Sequence, residues 1–143
     1  MSVSEPVLTP PTGGESVSTP GGSSAEIKVA SDATGGEYSA VVYRVVSGEE
    51  PPMHTHTRED EMVYVIDGEL TAFVGDASVE VGPGAYAALP QGVPHGIRVS
   101  GESATLLLTF SPGGLERFFV PAGEQSPDPA SFGLRMHDPV PSA

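Results

Sequence analysis

Four side chains of this sequence have the types and spacing of a metal site. His54 and His56 stand two apart in "PPMHTHTREDE". In a strand, residues i and i+2 project to the same face, so the two ring nitrogens can converge on one ion. The acidic run behind them offers Glu59, Asp60 and Glu61. Phase helps to separate these. Glu61 opens the run "EMVYVID" on the face of Val63 and Val65, Asp60 turns outward with Met62 and Tyr64, and Glu59 falls in the turn. With the valine face as the interior, Glu61 is a carboxylate in a dry setting, where a bound cation satisfies it. His95, in "PQGVPHGIRV", is a third imidazole at a point where a turn enters a strand, on the face of Ile97 and Val99. Three imidazoles and one carboxylate suit one borderline divalent ion per chain: Fe, Mn, Ni, Co or Zn. Four protein ligands leave two positions of an octahedral ion for water, O₂ or a chelating substrate.

Short strands must position these groups. Runs rich in Val, Tyr, Phe and Thr fall at 25–30, 38–46, 53–56, 61–67, 70–75, 78–81, 85–90, 95–100 and 104–110. Turn signals at Gly35-Gly36, Gly48, Asp67-Gly68, Gly75-Asp76, Gly82-Pro83-Gly84 and Gly92 separate them. Asp67-Gly68 reads as a hairpin turn of type I′. Many short strands at even spacing predict an all-β sandwich or barrel. Only "GGLERFF" (113–119) reads as a helix, of one or two turns. Residues 1–24 read as a flexible Ser/Thr/Pro/Gly-rich arm, in which "VLTPP" could pair at an edge. Residues 25–120 read as the folded domain. Residues 121–143 read as an irregular Pro-rich tail lying along the barrel or a partner chain.

Composition excludes several classes. The 143 residues suit one domain. With no cysteine there is no disulfide framework, thiolate site or Cys nucleophile. A net charge of −13 and the lack of a basic patch argue against nucleic-acid and membrane partners. No apolar run is long enough to span a bilayer. The N-terminus lacks the basic and apolar regions of a signal peptide, so a cytoplasmic location is expected.

The pattern as a whole resembles the cupin family. Its first motif appears as Gly48, five residues, His54-Thr55-His56, four residues, Glu61, six residues, Gly68. The closing glycine selects Glu61, since the count from Asp60 would be seven. Its second motif appears as Gly84, five residues, Pro90-Gln91-Gly92, two residues, His95 and three residues, but then Val99 stands where the family has Asn. That Asn is not a metal ligand in the family. The resemblance covers about residues 38–110. It implies a double-stranded β-helix, a jelly-roll-like barrel with one short C-terminal helix. It also implies a metal held by His54, His56, Glu61 and His95, and a homodimer of these single-domain chains. The last strand running into "FSPGGLERFF" resembles quercetin-dioxygenase-like cupins, whose helix caps the barrel. Phe118 and Phe119 would do so here, or pack at its base.

Three functions follow from that resemblance: a dioxygenase acting on an apolar or aromatic enol, a non-redox cyclase, isomerase or dehydratase, and a ligand-binding protein without turnover. Glu61 is the expected ligand and base, with Tyr43 a candidate catalytic acid or hydrogen-bond donor. Tyr64 is a weaker one. Val63, Val65, Ile97, Tyr43 and Phe110 should line the lumen, and Met53 and Phe73 should shape its mouth. Glu49, Glu50, Glu59 and Asp60 read as solvated loop charge, partly offset by Arg58, and His137 as a solvated tail histidine.

Overall fold

The computed structural model describes residues 5–121 and 127–143. Its strands are β1 (Ser16–Ser18), β2 (Ser24–Val29), β3 (Ser39–Val46), β4 (His54–His56), β5 (Asp60–Asp67), β6 (Leu70–Val74), β7 (Ala77–Val81), β8 (Tyr86–Leu89), β9 (His95–Val99), β10 (Ser103–Ser111) and β11 (Leu134–Met136). One helical turn, α1, spans Glu116–Phe119. Two antiparallel sheets result, in the orders β1-β2-β3-β10-β5-β8 and β11-β4-β9-β6-β7. Strands β2 to β10 fall on the runs read from the sequence, most of them with one face buried, although β7 is exposed along nearly its whole length. In β10, Ala104, Leu106, Leu108 and Phe110 point inward and the residues between them do not. Across the sheet, Leu106 lies opposite Tyr43 and Val65, and Phe110 lies opposite Glu61. Glu61 therefore sits on the inner face with Val63 and Val65, as its phase predicts.

Asp67-Gly68 does not make a hairpin. β5 pairs with β10 and β8, whereas β6 pairs with β7 and β9, so the dipeptide carries the chain from one sheet to the other. Gly68 has φ +89°, and a Cβ there would meet Ser103 O at 2.5 Å and Ala104 Cα at 2.8 Å. Glycine is needed for this close approach to β10. No non-glycine residue among those described has positive φ, which a type I′ turn would demand of Asp67. The tight hairpin is at Gly75-Asp76, where Val74 faces Ala77.

Both ends carry more structure than their composition suggests. β1 pairs with β2, Lys28 Nζ donates to the carbonyls of Pro11 (3.1 Å) and Gly13 (3.0 Å), and Glu15 forms a two-pronged pair with Arg117 at 2.8 and 2.9 Å. In the tail, β11 adds to the edge of β4. Between them, Glu116 is a carboxylate only 2% exposed, accepting from the backbone N–H of Ser31 at 2.6 Å and of Gly114 at 2.8 Å. Its removal would leave two donors unpaired. Glu116→Ala is expected to cost about 3 kcal/mol in urea denaturation, and a loss below about 0.5 would contradict this role.

Candidate metal centre

Two sheets contribute to one site. β4 and β9 place His54 directly opposite His95, and the alternation of β4 brings His56 to the same face. The three rings pack with centroids 4.5 to 5.1 Å apart. Glu61 reaches them from β5 on the facing sheet. One ligand atom from each of His54, His56, Glu61 and His95 lies within 4.8 Å of the others.

Each imidazole is oriented by its Nδ1. His54 Nδ1 lies 2.8 Å from Pro52 O, His95 Nδ1 lies 3.2 Å from Val93 O, and His56 Nδ1 lies 2.8 Å from Glu59 Oε1. All three partners are acceptors, so each Nδ1 carries a proton, and in the neutral ring each Nε2 turns a lone pair toward the centre. There, His56 Nε2 and His95 Nε2 both stand 3.0 Å from Glu61 Oε1. His56 Nε2 is buried, lacks the alignment of a hydrogen bond to that oxygen and finds no other partner among the described residues. Lone pairs that converge on a carboxylate need a cation between them. Protons alone would require two extra charges in a buried site, whereas one divalent ion satisfies every group. The four residues could therefore hold a metal, and their N₃O set suits a borderline divalent ion.

The electrostatics carry the same demand for positive charge. Burial works against charging His56, but its hydrogen bond to the Glu59 carboxylate and the closeness of the Glu61 carboxylate outweigh it and raise the group from 6.5 to about 9. Burial also opposes the Glu61 charge, yet His56 and His95 hold that carboxyl down at about 2. His54 bonds the Pro52 carbonyl rather than a carboxylate. Burial, reinforced by the neighbouring imidazoles, lowers it to about 4 and keeps it neutral.

Glu59 corrects the sequence reading. It is 4% exposed and bonds His56, so it is not a solvated loop charge. The three-residue separation lets the turn after β4 fold its carboxylate back under the ring. Glu49 and Glu50 are also engaged: Glu49 accepts from Ser23 Oγ at 2.6 Å and Glu50 from the N–H of Val99 at 2.9 Å. Asp60 is exposed and accepts from the N–H of Gln91 at 3.0 Å. His137 is exposed in the tail, but its Nε2 lies 2.8 Å from Thr55 Oγ1.

A cavity of ≈ 220 Å³ adjoins the four groups. Val63, Val65, Ile97 and Tyr43 line it, as expected, and so do Phe118 and Phe119 of α1. Phe110 lies behind this wall, 5.9 Å from the His56 ring. Phe73 also borders the cavity, with the Arg98 guanidinium 5.3 Å above its ring. Met53 does not shape the mouth. It packs over Gly96, where an added Cβ would lie 2.8 Å from its sulfur. Among the described residues, no Lys or Arg lines the cavity.

Tyr43 stands edge-on to Phe119, with centroids 5.2 Å apart. Burial, with the charges of Glu49, Glu50 and Glu61, pushes its phenol up to about 12. It can donate a proton or a hydrogen bond but cannot serve as a base near neutrality. The tyrosinate absorbance lost in Tyr43→Phe is expected to develop only near pH 12. Appearance of that difference near pH 10 would contradict its buried setting.

The cupin domain family matches residues 41–111. Among solved structures, the chain is similar to an RmlC-like cupin from Shewanella frigidimarina NCIMB 400, with 25% identity and a TM-score of 0.64 over 81% of this chain and 98% of that one. KdgF from Halomonas sp. aligns at 21% identity and a TM-score of 0.60, over 68% and 84% of the two chains. The polyketide cyclase RemF from Streptomyces resistomycificus aligns at 22% and 0.56, over 62% and 64%. These last two likenesses speak to the fold alone. No curated protein matches the chain by sequence. No helix among the described residues is long and apolar enough to cross a membrane. Residues 41–111 match the cupin domain family, and the barrel that carries the four ligands has the cupin fold.

Proposed function

We propose that the protein is a metal-dependent enzyme of small-molecule chemistry, a dioxygenase acting on an apolar enol-type substrate. One observation carries this: the four candidate ligands stand at the wall of an apolar cavity to which the described residues bring no Lys or Arg. A phosphate or dicarboxylate would find no Lys or Arg there to meet its second charge. A divalent ion balanced by Glu61 leaves a single positive charge, which suits a monoanionic chelating head such as an enolate. When bound, the ion supplies Lewis acidity and, if redox-active, the capacity to work with O₂.

The chain's own residues do the rest. Glu61 is positioned to take the enol proton, because its basicity depends on how tightly the ion holds it. The Tyr43 phenol, kept protonated, is a donor to the substrate. Val63, Val65 and Ile97 exclude water from the apolar body of the substrate.

A second reading, a non-redox cyclase or isomerase, is favoured by the pairing of a carboxylate base with a protonated phenol in one cavity. The two are separated by loading the stripped protein with Fe(II), Mn(II), Ni(II), Co(II) or Zn(II) and measuring O₂ uptake with aromatic enols. Uptake with a redox-capable ion and none with zinc is expected. Turnover without O₂ uptake, zinc included, would replace the oxygenase with the second reading. Binding without turnover would leave a ligand-binding protein. A homodimer is part of the same proposal, and a solution mass near 14.7 kDa, that of one chain, would remove it.

A further inference from the structure

The C-terminal strand builds part of the cavity wall. In β11, Leu134 lies opposite His56 and Met136 lies opposite His54. Residues directly opposite in an antiparallel pair project to the same face. The tail thus adds two apolar side chains to the face that carries two of the ligands, and both line the cavity. Leu134 is 6% exposed and belongs to the core, whereas Met136 is 40% exposed and stands at the rim. Arg135 between them is exposed.

This placement is held on both sides of the strand. Gly133 O accepts from the N–H of Thr57 at 3.0 Å and from its hydroxyl at 2.6 Å. Arg58 Nη1 donates to Ser131 O at 2.9 Å. Beyond the strand, the N–H of His137 donates to Met53 O at 2.8 Å and the N–H of Met53 to Asp138 O at 3.0 Å. Arg98 Nη1 donates to Pro141 O at 2.6 Å. So many bonds to the segment flanking the ligands fix where the two side chains stand, and a cavity of ≈ 220 Å³ is small enough for one side chain to alter what enters.

We propose that Met136, backed by Leu134, determines the size of the apolar body that the site admits behind a metal-chelating head. This rests on the metal-site reading above. Met136 is the residue to vary, since Leu134→Ala would also damage the core.

The test uses the Co(II)-loaded protein and two probes with the same 3-hydroxy-4-pyranone head: maltol, with a small body, and 3-hydroxyflavone, with a large one. Binding is read from the visible Co(II) spectrum, without turnover. Met136→Ala is expected to raise the affinity for 3-hydroxyflavone relative to maltol about tenfold, and Met136→Trp to lower it by a similar factor, as reshaped apolar pockets do. Co(II) stoichiometry and maltol affinity should hold, and Arg135→Ala, on the same strand, should leave the ratio unchanged. An unchanged ratio in both Met136 variants, or an equal change in Arg135→Ala, would overturn this inference alone. Failure of the wild-type protein to bind Co(II) would overturn the metal-site reading together with it.

Discussion

Replacing Glu61 with Gln is expected to weaken Co(II) binding by more than about 100-fold, beyond the upper end of what an outer partner of a metal ligand is worth. The reason lies in the layout of the two sheets. The histidines all come from β4 and β9, and Glu61 alone approaches from β5. It is also the one anion among the four, with its Oε1 standing 3.0 Å from two Nε2 atoms. Gln keeps the shape and removes the charge. The affinity is read by competition with a chelator of known strength. A loss of less than about tenfold would mean that Glu61 is a bystander and that the histidines bind unaided.

Glu59→Gln is expected to produce the next largest effect, a loss of about tenfold or more. Glu59 would not touch the ion. It orients His56 and makes its Nε2 a better donor, so it acts through another residue. A pH series separates this role from simple damage. In the metal-free protein the His56 pKa is raised from 6.5 to about 9, with burial opposed and overcome by the Glu59 and Glu61 carboxylates. Stability gained from that proton is present below the unfolded value of 6.5 and is lost as pH rises through about 9. The ion must displace the same proton, so wild-type affinity rises with pH over this window. Without the Glu59 charge, His56 holds its proton less tightly and competition at low pH weakens. The deficit of Glu59→Gln should therefore grow from pH 6.5 to pH 8.5. A deficit independent of pH would reduce Glu59 to a packing residue.

Much of this site is readable in the chain because its geometry is local. His54 and His56 share a face by strand periodicity, and the phase of "EMVYVID" points Glu61 inward with Val63 and Val65. The spacing to Gly68 makes the choice of acid unambiguous once the family pattern is recognised. Glu59 escapes the same logic. It sits in a turn, where no periodicity assigns a direction, and in a run of three acids its charge reads as solvated. Only the fold of the turn brings it beneath His56.

Asp67-Gly68 shows a different limit. Positive φ at the glycine is a local requirement that a hairpin and a crossover between sheets share. Whether the next strand pairs with the previous one is decided by contacts with β10 and β9, far away in sequence. The tail is hidden for a related reason. "LRM" offers three residues of alternation inside a Pro-rich segment, and its partner, β4, lies 78 residues earlier in the register of Leu134 with His56. Nothing in "GGLERFF" itself marks Glu116 as buried; the backbone at Ser31, 85 residues away, is what it binds.

The central claim is that His54, His56, Glu61 and His95 hold one divalent ion. An anomalous-difference map from crystals of the Co(II)-loaded protein tests it most directly. The account predicts a single strong peak per chain, in contact with the Nε2 of all three histidines and a carboxylate oxygen of Glu61. It would be contradicted by crystals from cobalt-saturated protein with no peak there and Glu61 still closed on His56 and His95.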